Sequence, residues 1–208
     1  MSDHPEPTPN REDLVARLEL MQAMIAEGRA TTARFGWIFV MWGLLYSVAM
    51  TWTAFLPHRN LAWPICITAG VIASIAVREH QRRAGANFAN PRAHSIASIW
   101  RAMGVGITFF TIACAVSHQV AGPVYISAIL FIVGLAHATS ALTLRWTAQG
   151  IAAAVWWIGG IAALFFTEPE QLFLIFMLAT FFGMILFGIY AMLRERRRSA
   201  PPAIPSHA

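Results

Sequence analysis

The chain has 208 residues, of which 57% are hydrophobic and 12% charged, and its formal net charge is +5. A composition this apolar excludes an ordinary soluble globular domain. The positive charge comes from arginine alone and is spread over many segments, so it does not predict nucleic-acid binding.

Residues 1–34 form a polar N-terminal segment, in which residues about 10–34 have the pattern of an amphipathic helix. Its acidic and basic residues nearly balance, which argues against strong binding to anionic lipid. One apolar stripe recurs at helical spacing, but it is shorter than the three or four heptads, roughly, that a coiled coil needs. It predicts docking on the protein's own cytoplasmic surface or the membrane interface, or binding to a protein partner or a second copy. The stripe consists of Leu14, Leu18, Met21 and Ile25.

Six long apolar runs follow this segment and predict an all-α, polytopic integral membrane domain over residues 35–193. A hydrocarbon core about 30 Å thick is crossed by ~20 helical residues, with about 17 near the lower limit, so each run is long enough to span it. Lipid offers backbone groups no hydrogen-bond partner, so we expect helices. The predicted spans are 35–56, 61–77, 96–117, 122–144, 148–166 and 172–193.

The connections predict three helical hairpins. Those after the first, third and fifth spans are short and carry turn residues, among them Pro57, Pro123 and Pro169. The longest connection, about residues 78–95, is expected to be a polar loop, either from its start or after a continuation of the second helix that then breaks. Residues 194–208 are expected to form a basic and then disordered cytoplasmic tail.

The distribution of arginine predicts the orientation. Alternating spans place 14 of the 15 arginines on the side of the two termini, and Arg59 alone on the other side. The positive-inside rule then assigns both termini to the cytoplasm. The use of arginine without lysine is associated with GC-rich bacterial genomes, and we therefore expect a bacterial inner membrane.

Few residues within the spans carry chemistry. No span contains Asp or Glu, which argues against proton-coupled pumps, and no catalytic constellation, metal-ligand spacing or cofactor motif is present in the sequence. His137 lies inside the fourth span. It is interpreted either as a structural imidazole bonded to a neighbouring Ser or Thr, or as a ligand or proton group.

Arg101 is the second candidate functional residue. It lies near the cytoplasmic end of the third span, where its side chain is expected to reach the headgroups, or to contact an anion or lipid headgroup. Cys66 and Cys114 match in depth and are interpreted as buried apolar residues, with a disulfide as the alternative.

These patterns favour a non-enzymatic membrane protein that works through protein or lipid contacts, in assembly, regulation or stress response. No cofactor is predicted. The alternatives are a small-solute transporter or permease subunit, and an intramembrane enzyme or cofactor binder that uses His137. The expected partners are the lipid bilayer and a protein, or a second copy, at the N-terminal stripe.

Overall fold

The computed structural model describes residues 14–23, 36–83, 91–166 and 168–199. All regular secondary structure in these ranges is helical. The elements are α1 (14–23), α2 (Gly36–Phe55), α3 (Arg59–Arg83), α4 (Pro91–Ser117), α5 (Gly122–Leu144), α6 (Thr147–Phe165), α7 (Pro169–Thr180), a π-helical segment (Phe181–Leu186) and α8 (Phe187–Ser199).

Six helical units within the described ranges are long and apolar enough to cross a membrane. Five are the single helices α2 to α6. The sixth consists of α7, the π segment and α8, which follow one another without a break. At 1.5 Å per residue, lengths of 19 to 26 residues suffice for a hydrocarbon core about 30 Å thick. The prediction of an all-α integral membrane protein with six transmembrane helices is confirmed. The spans are Gly36–Phe55, Arg59–Glu79, Ser95–Ser117, Gly122–Leu144, Thr147–Phe165 and Pro169–Arg194.

Several helix ends differ from the predicted bounds. α3 begins at Arg59, before the predicted span, with Pro64 near its start, where the missing N–H disturbs only the opening turns. α8 continues to Ser199, so the arginines after Leu193 extend this helix. Most of the predicted polar loop is helical, while residues 84–90 and the end predicted to be disordered, residues 201–208, lie outside the described residues.

The centre of the bundle is formed by α5, α6 and the continuous α7–α8 helix, with Leu130, Trp156 and Met184 among its buried side chains. α2 packs against α7, the π segment and α8. Among the described elements, the backbone of α3 approaches only α2, and that of α4 approaches only α5. The three-hairpin arrangement stays a prediction, because the most extensive contact joins α5 to α6, which belong to different predicted hairpins.

The turn between α5 and α6 explains this contact. Arg145 adopts a left-handed conformation (φ 49°), and its backbone N–H donates to the carbonyl oxygens of Ala141 and Leu142. The next residue, Trp146, is the N-cap of α6, so only two residues separate the two helices. Towards the other end of this helix pair, Ser127 Oγ donates to the Gly160 carbonyl oxygen at 2.8 Å. The two helices therefore run antiparallel and in contact over most of their length.

α2 and α8 approach each other through glycine. A Cβ atom built on Gly188 would lie 2.5 Å from the carbonyl oxygen of Gly36, and one on Gly36 would lie 2.6 Å from the carbonyl oxygen of Gly188. Both distances are too short for a real Cβ atom, so the crossing requires glycine on both sides. Small residues at a crossing let membrane helices gain van der Waals contact without a hydrophobic driving force.

Candidate functional site

His137 lies on the buried face of α5, seven residues before the helix ends at Leu144. At 1.5 Å per residue this is about 10 Å from the α5–α6 turn. The same face carries Val133, Ser140 and Leu144, all buried, because residues three and four apart align along one side of a helix. The imidazole is therefore directed into the centre of the bundle, and it has no exposed surface.

Four aromatic rings from four other helices surround this imidazole, and we call them the aromatic cage. The centroid of Trp100 lies 4.9 Å from that of His137, and that of Phe187 lies 5.5 Å away, both edge-on. Phe39 is tilted at 5.6 Å, and Trp156 is stacked at 6.4 Å. The cage joins α2, α4, α6 and α8 around one residue of α5.

The cage also explains how α4 is held. Its backbone approaches only α5 among the described elements, yet the Trp100 ring reaches through to Phe39 on α2, with centroids 5.0 Å apart. Edge-to-face pairs of this kind contribute about 0.5–1.5 kcal/mol beyond their buried area. Trp100 therefore connects an outer helix to the centre.

The imidazole lacks the hydroxyl partner that the structural interpretation of His137 supposed. Neither ring nitrogen forms a hydrogen bond with any residue in the described ranges. The Thr139 and Thr143 hydroxyls donate instead to carbonyl oxygens of their own helix, those of Leu135 and Thr139, at 2.8 Å. Helical geometry explains the difference, because an i−4 carbonyl oxygen lies close enough for a threonine hydroxyl to bond to its own helix.

Four further side chains are, like His137, fully buried with an unpartnered polar atom, and together we call these five side chains the polar core. Each has no exposed surface and at least one side-chain nitrogen or oxygen without a hydrogen-bond partner among the described residues. All belong to α5, α6 and α7, the central helices. The polar core consists of His137, Ser140, Gln149, Trp156 and Thr180.

Sequence reasoning missed most of these residues. Gln149 gave a usable signal, since it is the one amide side chain within the predicted spans. Thr180 and Ser140 gave little, because isolated hydroxyls are common in membrane helices and usually bond to their own backbone. The aromatic cage gave none, since its members come from four helices far apart in sequence.

Arg101 does not join this site. Its side chain is exposed and turned back along α4, where Nε donates to the Ala97 carbonyl oxygen at 3.2 Å and a terminal nitrogen donates to Ser98 Oγ at 3.0 Å. The side chain thus extends toward the start of α4. A second cation, Arg194, lies 5.9 Å above the ring of Trp146 at the same end of the bundle.

The N-terminal stripe lies on α1, apart from the cage. Leu14, Leu18 and Met21 are 47%, 53% and 48% exposed, and Ile25 lies outside the described residues. Every residue of α1 is exposed, Leu20 on the opposite face included.

Cys66 and Cys114 are both free thiols, on helices whose backbones do not approach each other in the described ranges. The described residues contain no group of three or more His, Cys, Asp or Glu side chains that could hold a metal ion.

Comparison with known proteins gives no match to this chain among family models, curated proteins or solved structures.

Proposed function

We propose that this protein is a non-enzymatic membrane component that acts through contacts with another protein, and that α1 is its recognition element. The observation that carries the proposal is the exposure of the apolar side chains of Leu14, Leu18 and Met21 on a helix outside the six spans. Apolar groups aligned along one helix face gain free energy when a complementary surface covers them.

The charge of α1 favours a protein over lipid as the covering surface. Within the described part of α1, Arg17 and Glu19 offset each other. A helix that binds the membrane surface typically carries an excess of Lys and Arg on its polar face, which anionic lipid attracts. Because α1 has no such excess, a hydrophobic groove on a protein partner or on a second copy is the better fit.

The enclosure of His137 supports a contact function over the transporter alternative. A solute that passed His137 would have to displace at least one of the four rings packed around the imidazole. Transporter sites near the bilayer midplane are usually formed by discontinuous helices beside a cavity. Here the imidazole has no exposed surface.

We further propose that the protein resides in a bacterial inner membrane with both termini in the cytoplasm. The support is the placement of 14 of the 15 arginines on the terminal side of the six spans. Arginine is retained on the cytoplasmic side during insertion, and short loops follow this rule most closely. In this orientation α1 meets cytoplasmic partners, or the cytoplasmic domains of other membrane proteins.

Photo-crosslinking in native membranes tests the recognition role. A photoreactive amino acid replaces Leu18 on the stripe or, as the matched control, Leu20 on the opposite face; both positions are exposed on α1. We expect a discrete protein adduct at Leu18 that Leu14→Glu abolishes, and no such adduct at Leu20. An adduct of twice the chain mass identifies a second copy as the partner. Equal adducts from both positions, or lipid adducts alone, contradict the proposal.

A further inference from the structure

Several hydroxyl groups of the bundle form hydrogen bonds within their own helix, as Ser47, Thr53 and Thr108 do with the carbonyl oxygens of Gly43, Ala49 and Gly104. In the polar core, the Ser140 and Thr180 hydroxyls have no partner among the described residues. The Ser140 and Thr180 hydroxyls thus differ from those three, and from the buried Ser127, which donates to the Gly160 carbonyl oxygen.

The polar core lies on three helices that are in contact with one another, α5, α6 and α7. Gln149 and Trp156 lie seven residues apart on one face of α6, about 10 Å by helical rise. His137 and Ser140 lie one turn apart on α5. Thr180 follows on α7, one turn before Gly183, where an added Cβ would meet the Trp156 indole nitrogen. The unpartnered groups therefore extend from near the α5–α6 turn toward the middle of the membrane.

Buried polar groups without partners destabilise a fold, and most that are found in proteins are satisfied by protein or by ordered water. The polar core combines groups that donate only, such as the Trp156 indole, with groups that both donate and accept, such as Gln149. A partner for all of them must itself donate and accept. The partner must also be neutral. Four of the five side chains are uncharged and His137 has no opposite charge beside it, so the polar core has nothing to balance the charge of an ion.

We propose that the polar core is a binding site for internal water molecules, which bridge α5, α6 and α7 inside the membrane. A water that meets two to four polar groups, roughly, satisfies the known requirement for stable internal hydration. All five residues have no exposed surface, so this water is trapped and exchanges only when the bundle opens.

The π segment provides a second, independent observation at the same place. It begins at Phe181, directly after Thr180, and contains Gly183 beneath the Trp156 ring. π-helical turns interrupt the regular backbone ladder and occur frequently at functional sites. The interruption thus coincides with the end of the polar core in the middle of the membrane.

Hydroxyl-radical footprinting in ¹⁸O-labelled water tests the proposal on the unaltered protein. Radiolysis generates radicals from trapped water, which oxidise the side chains beside it regardless of solvent exposure. The matched control is Phe176, a reactive ring that is 4% exposed and packs against Trp63 at 5.8 Å. Each rate is divided by the rate of the same residue in the unfolded protein, because an indole reacts intrinsically faster than a phenyl ring. We expect the normalised rate of Trp156 to be several-fold higher than that of Phe176. Equal normalised rates for the two rings overturn the proposal.

A pair of isosteric variants gives an independent measurement. If water bonds to Thr180, then Thr180→Val removes that bond and lowers the unfolding temperature more than Thr53→Val, the matched control, whose hydroxyl bonds to its own helix. If the Thr180 hydroxyl is buried without a partner, its removal raises the unfolding temperature. A rise for Thr180→Val therefore overturns the proposal.

Discussion

The crossing of α2 and α8 gives a sharp test of the packing, through the single change Gly188→Ala. The new Cβ atom would stand 2.5 Å from the Gly36 carbonyl oxygen, whereas ordinary van der Waals contact begins at 3.4 Å. The two helices must therefore separate by about 0.9 Å at this point. The atom in the way belongs to the backbone, so no side-chain rotation relieves the contact. Overpacking of this kind costs about 1–3 kcal/mol.

The assay is thermal unfolding of the purified protein in detergent, with Gly104→Ala as the matched control. Gly104 lies in α4, and a Cβ atom there would meet no heavy atom within 4 Å. That variant should keep the unfolding temperature or raise it slightly, because alanine favours the helix by about 0.5–1 kcal/mol. Gly188→Ala should lower it clearly. If the two variants unfold at the same temperature, the close approach of α2 and α8 is wrong.

Two further changes test the central helices. Ser127→Ala should destabilise the fold by about 1 kcal/mol, since it removes the hydrogen bond from Ser127 to the Gly160 carbonyl oxygen; Thr139→Ala, which removes only a bond within α5, should cost less in the same unfolding assay. Gly183→Ala should destabilise through contact with the Trp156 indole, and Trp156→Phe should recover part of that loss in a double-mutant cycle. Additive effects of the last two changes would contradict this contact.

The membrane spans were predictable because they depend on local properties. An apolar run of sufficient length must cross the bilayer as a helix whatever its neighbours are, so the predicted and observed ends agree within a few residues. The π segment at Phe181–Leu186 was not predicted. Its sequence is as apolar as the turns beside it, and its contact with Trp156 through Gly183 comes from a helix that is distant in sequence.

The candidate site was predictable only in part. His137 was identified because an ionisable side chain inside a span is unusual, and the structure places it at the centre of the bundle. Its surroundings depend on which helices pack together, and one sequence does not determine that. Trp100 illustrates the problem, since a tryptophan near a span end typically indicates an interfacial anchor, yet this ring reaches inward to His137.

The central claim, that six helices cross the bilayer in alternation, is tested most directly by labelling single cysteines with a membrane-impermeant thiol reagent. With Cys66 and Cys114 replaced by alanine, single cysteines are introduced at Asn60, Val120 and Glu168 or, for the opposite side, at Arg145. We expect the first three to react in intact cells, and the cysteine at Arg145 to react only after permeabilisation. Reaction at Val120 and Arg145 from the same side would contradict the account.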